Sequence, residues 1–306
     1  MTHTSPALVF STGGYTGNFF HEFMDCFVPL YITVNSHFPD RNVILVITDC
    51  HDWWTSKYAE LLPRFSRHPI INIDKENISH CFPSAIVGLI SHGHMVINPG
   101  LLPKPETLMD FQAFLANTYR QDDRHQLPTK PKLVLINRNA NIGRRILNVE
   151  EVEKTARELG FDVTIFKPKR NTSLAESFRL IHASHAMLGV HGAALTHFLF
   201  LRPRSVLMQV VPIGTEWLSD AYFGKPTRIL GLEYMKYKIK LEESSLAEVY
   251  TGDDLVLKNP KAFVRGNWSN AQIYLKKQNV KLDIVRFRRY LRDAYKKAKD
   301  FMDKAS

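Results

Sequence analysis

The stretch SHAMLGVHGAALTHFLFL, residues 184–201, decides the fold. An apolar run over residues 186–190 meets a turn at His191 and Gly192, and a second apolar run of helical character follows over residues 193–201. A buried strand that leads directly into a helix is typical of an α/β sheet. The first turn of such a helix leaves N–H groups free at the positive end of the helix dipole, where a phosphate fits. The alternative is an ordinary turn with histidines at the edge of the core.

Four residues of this turn are candidates for an anion site: His191, Gly192, Ala193 and Thr196. Gly192 has no Cβ, so a backbone or a ligand can approach it closely. Together with His197, the side chains of His191 and Thr196 place polar groups in an otherwise apolar segment.

The composition describes a folded protein large enough for two domains. The chain has 306 residues, of which 44% are hydrophobic and 23% charged. A formal net charge of +10 favours phosphorylated or polyanionic partners. No zinc spacing and no basic tract supports nucleic acid, which we exclude as a partner. The three cysteines have no metal-ligand spacing and are too few for a disulfide scaffold, although one disulfide stays possible.

Targeting signals are sparse. The sequence as written has no apolar signal region and no run of about 18 apolar residues, so we expect neither a secretion signal nor a membrane anchor in it. Three N-x-S/T sequons predict glycosylation sites if the chain is lumenal: Asn77, Asn171 and Asn267.

The first half carries a candidate general base. A glycine-rich loop over residues 11–18 precedes an apolar helical pattern over residues 19–34, with Asn18 as the N-cap. His21 and Asp25 are four residues apart and therefore share one helix face. A neutral imidazole oriented by a carboxylate is what a general base needs. The alternative is a surface pair worth a few tenths of a kcal/mol.

The remaining pattern alternates strands and helices, which predicts parallel sheets in two domains. We predict strands over residues 7–10, 42–48, 70–73, 85–90, 95–98, 132–136, 162–166, 206–211, 227–230 and 237–239. We predict further helices over residues 56–65, 105–119 and 174–183, another that Asn148 caps, and a basic amphipathic one over residues 281–302. A polar, proline-bearing stretch gives domains 1–125 and 126–280, followed by the C-terminal helix 281–306.

Three arginines follow the first strand of the second half: Arg138, Arg144 and Arg145. Open parallel sheets place ligands at the carboxyl ends of their strands, and guanidinium groups suit diphosphates. The turn at residues 191–197 lies at the same kind of edge, so a phosphate-bearing ligand is favoured. No Walker A, GxGxxG or GxSxG motif is present, which argues against NTPases, dehydrogenases and hydrolases.

Four segments together resemble the catalytic region of glycosyltransferase family 61, in its plant branch of xylan arabinosyl- and xylosyltransferases. They are GGYTGNFFHEFMD (13–25), INRNANIGRRILN (136–148), MLGVHGAALTHFLFL (187–201) and GLEYMKYKIKLEESSL (231–246). The resemblance implies a GT-B fold, in which two Rossmann-like domains face a cleft, and inverting transfer from a UDP-sugar to a glycan. It also implies a Golgi type II membrane protein, held by an N-terminal anchor that this sequence lacks.

The expected mechanism divides the site residues between the two domains. We expect Arg138, Arg144, Arg145 and the turn at residues 191–196 to bind the donor's diphosphate, and His21 or Asp25 to deprotonate the acceptor hydroxyl. No DxD-type metal motif stands out, so we expect transfer without a metal or cofactor. A pentose is the favoured sugar and xylan the favoured acceptor. The rival hypothesis is a truncated, non-catalytic paralogue that holds a glycan or a nucleotide sugar.

Overall fold

The computed structural model describes residues 1–12, 14–120, 128–138 and 142–305. Two compact units make up the chain: residues 1–121 with 170–179 form unit 1, and residues 122–169 with 180–306 form unit 2. Gly13 and the predicted domain boundary after residue 125 lie outside the described residues.

The sheet of unit 1 is parallel, with the strand order β3-β2-β1-β4 in its described part. Its strands are β1 (Ala7–Ser11), β2 (Ile44–Thr48), β3 (Ile71–Asn72) and β4 (Ala85–Val87). In the register of the central pair, Ala7 lies opposite Ile44. The strand predicted over residues 95–98 is wrong, because Met95 has a φ of 52° and cannot continue an extended chain.

Aromatic side chains fill the core of unit 1. The side chain of Asn18 accepts a hydrogen bond from the Phe20 N–H and caps the first helix, as predicted. Behind it, the ring of Phe27 packs against Trp54 and Tyr58, with centroids 5.5 and 4.5 Å away. The helical segments are Phe19–His21, Glu22–Phe27 (a π-helical turn), Val28–His37, Asp52–Lys57, Leu62–Arg64, Ile73–Lys75, Pro99–Leu101 and Leu108–Tyr119.

The sheet of unit 2 is also parallel, in the order β6-β5-β7-β8-β9 over the described strands. Its strands are β5 (Lys132–Ile136), β6 (Asp162–Phe166), β7 (Ala186–Val190), β8 (Val206–Val211) and β9 (Glu233–Lys238). The predicted α/β class with parallel sheets is therefore confirmed. The strand predicted over residues 227–230 is wrong: a helix, Lys225–Ile229, forms there with Pro226 in its first turn, where a proline is tolerated.

Helical segments connect these strands along the chain and follow the last of them. The segments are Val149–Glu158, Leu174–His182, Ala193–Phe200 (3₁₀), Glu216–Ser219, Asp220–Gly224 (π), Lys225–Ile229, Leu241–Glu243, Ser245–Glu248, Leu255–Lys258, Pro260–Val264, Trp268–Gln272, Ile273–Lys277 (π) and Ile284–Ala305. The last of these packs Phe287, Leu291 and Ala298 into the same core as the sheet. Among the residues described, no helix has both the length and the apolar character needed to cross a bilayer.

Candidate functional site

The carboxyl ends of β5 and β7 place two predicted site segments side by side. The two strands are parallel neighbours, so the residues that follow them emerge at one edge of the sheet. Arg138 follows β5, and His191 with Gly192 follows β7. A Cβ atom at residue 192 would lie 2.2 Å from Nη2 of Arg138 and 3.0 Å from Nη1 of Arg144. Two guanidinium groups therefore rest directly on the glycine.

The backbone of Gly192 explains why a glycine is needed there. Its φ of 148° and ψ of 176° fall in a region that side chains with a Cβ essentially never adopt. The missing Cβ also leaves the space that Arg138 occupies. The sequence predicted that a backbone or a ligand can approach Gly192 closely. In the structure, the guanidinium of Arg138 lies against this glycine.

Arg138 and Arg144 form a cationic pair. Nη1 of Arg144 donates to the carbonyl oxygen of His191 at 3.1 Å, and Nη1 of Arg138 reaches the carbonyl of Gly143 at 3.4 Å. Burial lowers the pKa of Arg138 to about 10, and burial together with the nearby Arg138 charge lowers the pKa of Arg144 to about 9. Over residues 1–12, 14–120, 128–138 and 142–305, no carboxylate forms an ion pair with either guanidinium. An anion bound here would compensate both charges.

The segment over residues 142–147, which we call the arginine segment, is fixed by a distant part of the chain. The Arg144 N–H donates to the carbonyl of Gln278, and the Arg145 N–H donates to Oδ1 of Asn279 at 3.3 Å. Arg144 itself has a φ of 64°, a conformation that a non-glycine residue rarely adopts. The position of both arginines is therefore set by residues that follow them by more than 130 positions.

Asn148, the N-cap residue of the helix Val149–Glu158, completes this attachment. Its side chain donates to the carbonyl of Leu282 and accepts from the Leu282 N–H, both at 2.9 Å. Asn148 is the N-cap residue, as predicted, but its side chain makes no capping hydrogen bond because both polar atoms of the amide are engaged with Leu282.

Arg145, Ala193 and Thr196 complete the set of predicted residues at this edge. Ala193 begins the 3₁₀ helix Ala193–Phe200, and Thr196 is fully buried within it. Across the described part of the chain, Nε of Arg144, Nε of Arg145 and Oγ1 of Thr196 are among the few buried side-chain atoms without a hydrogen-bond partner. Such atoms point to a group that would satisfy them on binding.

His191 is neutral and held by a chain of hydrogen bonds. The Tyr234 hydroxyl donates to Oε1 of Gln209 at 2.6 Å, and Nε2 of Gln209 donates to Nδ1 of His191 at 2.7 Å. Burial is the main reason why the pKa of His191 lies well below its ordinary value, and the nearby positive charges of Arg144 and Arg138 lower it further. The ring is thus uncharged with its proton on Nε2. Sequence reasoning missed Gln209 and Tyr234, although a glutamine inside the apolar strand VLMQVV was a signal.

A second set of predicted residues lies in unit 1. Nδ1 of His21 donates to Oδ2 of Asp25 at 2.6 Å, and the ring of Tyr15 stacks on the imidazole with centroids 4.3 Å apart. Both residues line a cavity of about 230 Å³ beneath the glycine-rich loop, which we call the His21 cavity. Since the carboxylate engages Nδ1, Nε2 is the nitrogen that can take a proton.

Glu22 also lines the His21 cavity and was missed by sequence reasoning. Its side chain is 4% exposed, and it accepts hydrogen bonds from the Tyr58 hydroxyl and, at 2.9 Å, from the Gly17 N–H. Burial raises the pKa of Glu22, while the charge of Lys57 opposes the rise. The carboxyl group therefore ties the glycine-rich loop to the aromatic core. A glutamate inside an apolar helix was the available signal.

The sequons are accessible. Asn77, Asn171 and Asn267 are all exposed. The side-chain oxygen of Asn267 accepts from the Ser269 N–H at 2.9 Å, and Asn171 lines a second cavity of unit 1. Their glycosylation stays a prediction.

The chain is similar in sequence to a family of known proteins. The family model described as glycosyltransferase 61 matches residues 18–208. The chain is 40% identical to the xylan glycosyltransferase MUCI21 of Arabidopsis thaliana, over 97% of this chain and 63% of that protein.

Two rice proteins are also similar. The α-1,3-arabinosyltransferase XAT3 of Oryza sativa subsp. japonica is 39% identical over 95% of this chain and 51% of its own length. The β-1,2-xylosyltransferase XYXT1 of the same organism is 35% identical over 94% of this chain and 62% of its own length. The chain thus spans between half and two thirds of the length of these relatives.

Proposed function

Because the chain belongs to glycosyltransferase family 61, we propose that it transfers a pentose from a UDP-sugar to a hydroxyl of xylan or a related glycan. Similar proteins are named for transfer of xylose, of arabinose or of a sugar to xylan, which supports a pentose as the donor sugar. The observation that carries the proposal is the pair of guanidinium groups on Gly192, which has no anionic partner among the residues described.

The donor's diphosphate binds at the carboxyl edge of the unit 2 sheet. Arg138 and Arg144 compensate its charge, and Arg145 with the turn at residues 191–196 completes the site. As the bond from the sugar to the diphosphate breaks, negative charge grows on the leaving oxygen, and fixed cations stabilise it. Arginines thus supply what a metal ion supplies elsewhere. We propose transfer without a metal, which a chelator tests: activity should survive excess EDTA.

The acceptor is activated in unit 1. Nε2 of His21 takes the proton of the acceptor hydroxyl while Asp25 stabilises the imidazolium through Nδ1. The hydroxyl oxygen then bonds to the anomeric carbon, UDP leaves with the electrons of the broken bond, and the configuration inverts. The proposal includes a GT-B arrangement of two Rossmann-like domains around a cleft, and a place in the Golgi lumen.

The first experiment is thermal unfolding with UDP, GDP and a panel of UDP-sugars. A ligand at about 100 times its Kd stabilises by roughly 2.7 kcal/mol. We expect a shift with UDP and with one UDP-pentose, followed by transfer of that pentose to xylo-oligosaccharides. A folded protein with no shift for any nucleotide would contradict the proposal and favour a non-catalytic glycan-binding role.

A further inference from the structure

Unit 1 contains a second cavity, of about 490 Å³, that the mechanism above does not use. Its walls come from the helix Asp52–Lys57 with the turn after it and from residues 170–174, which also belong to unit 1. We propose that this cavity, which we call the Trp53 cavity, binds a saccharide unit of the acceptor glycan at a distance from the reacting hydroxyl. The inference rests on the proposed function and names a subsite for its acceptor.

One helix serves both cavities of unit 1. Trp54 lines the His21 cavity and Trp53, the residue before it, lines the Trp53 cavity. Successive residues of a helix point about 100° apart, so the two cavities lie against different faces of the same helix. A Cβ atom at Gly17 of the glycine-rich loop would lie 3.9 Å from Trp53 Cη2, so Trp53 also borders the loop above His21. Under this proposal, a glycan chain with one hydroxyl at His21 continues along the same helix, so that a neighbouring unit occupies the Trp53 cavity.

A planar cation is fixed on the wall of the Trp53 cavity. The guanidinium carbon of Arg170 lies 3.7 Å from the centroid of the Trp53 ring. Contact with the ring restrains the guanidinium, whose N–H groups lie in one plane. Hydrogen-bond donors held in a plane are suited to the hydroxyl and ring oxygens of a sugar.

The rest of the lining contains both donors and acceptors. Lys57 supplies an ammonium group and Glu60 a carboxylate, while Ala59 and Leu174 give apolar surface. A mixture of both charge signs with apolar walls matches a polyhydroxylated ring, which has polar edges and apolar faces. Lys57 and Arg170 against Glu60 leave the charged groups net positive, so charge alone does not exclude an anion. The apolar walls and the mixture of donors and acceptors are what favour a sugar over a phosphate.

The test is a chain-length series of β-1,4-linked xylo-oligosaccharides from two to six units. For the wild type we expect KM to fall about 10-fold with length at nearly constant kcat, the size of one good stacking and hydrogen-bonding contact. Trp53→Ala and Arg170→Ala should raise KM for the hexamer about 10-fold and leave KM for the dimer and the Kd for UDP unchanged. Arg170→Lys, which keeps the charge without the planar stack, should lie between.

Trp268→Ala is the matched control, because Trp268 is an exposed tryptophan of unit 2, 53% accessible. It should behave as the wild type. Direct calorimetric binding of the hexamer gives a readout that needs no transfer. The wild type could bind the hexamer and show no transfer, while Arg170→Ala does not bind the hexamer. That result would support the subsite and contradict the proposed function.

Several outcomes overturn the inference. They are a wild-type KM independent of chain length, no calorimetric binding of the hexamer, or equal effects of the variants on dimer and hexamer. The inference requires Asn171 to be unmodified and so departs from the sequon prediction at this one site, because Asn171 lines the cavity and a glycan there would fill it. An N-glycan on Asn171 in active protein would contradict it. If Trp53→Ala fails to fold, the two Arg170 variants decide.

Discussion

The guanidinium of Arg138 occupies the space that a Cβ on residue 192 would need, with Nη2 only 2.2 Å from that position. Gly192→Ala should therefore both strain the backbone, at a cost of about 1–3 kcal/mol, and push Arg138 aside. We expect a lower thermal midpoint and at least a 10-fold higher Kd for UDP, measured by calorimetry. Gly252→Ala is the control, because nothing lies within 4 Å of a Cβ at Gly252 and it should change neither value.

Arg138 is expected to lower the stability of the free protein and to strengthen binding of the donor. Its partly buried charge lies beside Arg144 without an acid partner in the described residues, so Arg138→Ala relieves a desolvation and repulsion cost. The thermal midpoint without ligand should stay equal or rise, while kcat falls by about 10²–10³. The UDP-induced shift of the midpoint should shrink in the same variant.

Arg145→Ala should also lower turnover by orders of magnitude while the midpoint stays nearly unchanged. Arg289→Ala, which removes an exposed arginine of the C-terminal helix, is the control for net charge and should keep full activity. Full activity of Arg145→Ala would remove Arg145 from the donor site. A midpoint that drops sharply in Arg138→Ala would show that Arg138 is structural.

His21 and Asp25 should act together in catalysis. His21→Ala is expected to abolish transfer while UDP affinity stays close to that of the wild type, because His21 acts on the acceptor. Asp25→Asn weakens the orientation of the ring and should lower kcat by about 10²-fold. In the double variant the two effects should not add, since Asp25 acts through His21. Loss of UDP binding in His21→Ala would instead assign His21 to the donor site or to the fold.

The sequence predicted the sheet of unit 2 closely, for a physical reason. Strands β5, β6 and β8 are apolar or β-branched apart from Lys132, Asp162 and Gln209, and their predicted bounds match the structure. From parallel strands it follows that Arg138 and Gly192 share an edge. Local pattern sufficed here because each segment carries its own signal.

What local pattern could not predict are contacts between remote segments. Gln278 and Asn279 hold the arginine segment from more than 130 residues away, and residues 170–174 return to unit 1 to cover Trp53. The proton position on His191 depends on Gln209 and Tyr234, which lie on two other strands. None of these pairings leaves a periodic trace in the sequence.

Gln278 joins two loops at the donor edge and should be needed for both. Its amide donates to the Ile213 carbonyl at 2.9 Å and accepts from the Ile213 N–H at 3.0 Å, and its own carbonyl accepts from the Arg144 N–H. Gln278→Ala leaves the N–H and the carbonyl of Ile213 unpaired and keeps the backbone bond to Arg144. We therefore expect a loss of about 1–3 kcal/mol in the free energy of unfolding and, because the backbone around residue 278 is held less firmly, weaker UDP binding. Denaturant titration and calorimetry measure the two effects.

Gln278→Glu keeps one acceptor oxygen but sets a buried carboxylate oxygen against the Ile213 carbonyl, so it should lose at least as much stability as Gln278→Ala. Gln272→Ala, a glutamine at the end of the helix Trp268–Gln272, is the control and should remain close to the wild type. UDP affinity unchanged in Gln278→Ala would mean that the arginine segment keeps its position without the bonds from the Gln278 side chain to Ile213.

Acid should destabilise the fold through two neutral histidines. Burial lowers the pKa of His185 to about 4, and the pKa of His191 is also well below 6.5. In the unfolded chain both rings take up a proton below pH 6.5, whereas the folded protein does not, so stability is present above pH 6.5 and falls with pH below it. Between pH 6.5 and 5 each ring should contribute a loss of about 2 kcal/mol.

His185→Asn keeps an acceptor for the Lys132 N–H, 2.9 Å from Nδ1 in the wild type, and removes the titration. Its free energy of unfolding, measured by urea titration at pH 5, 6 and 7, should show a slope against pH that is smaller by nearly one proton. An unchanged slope would mean that His185 is protonated in the folded state.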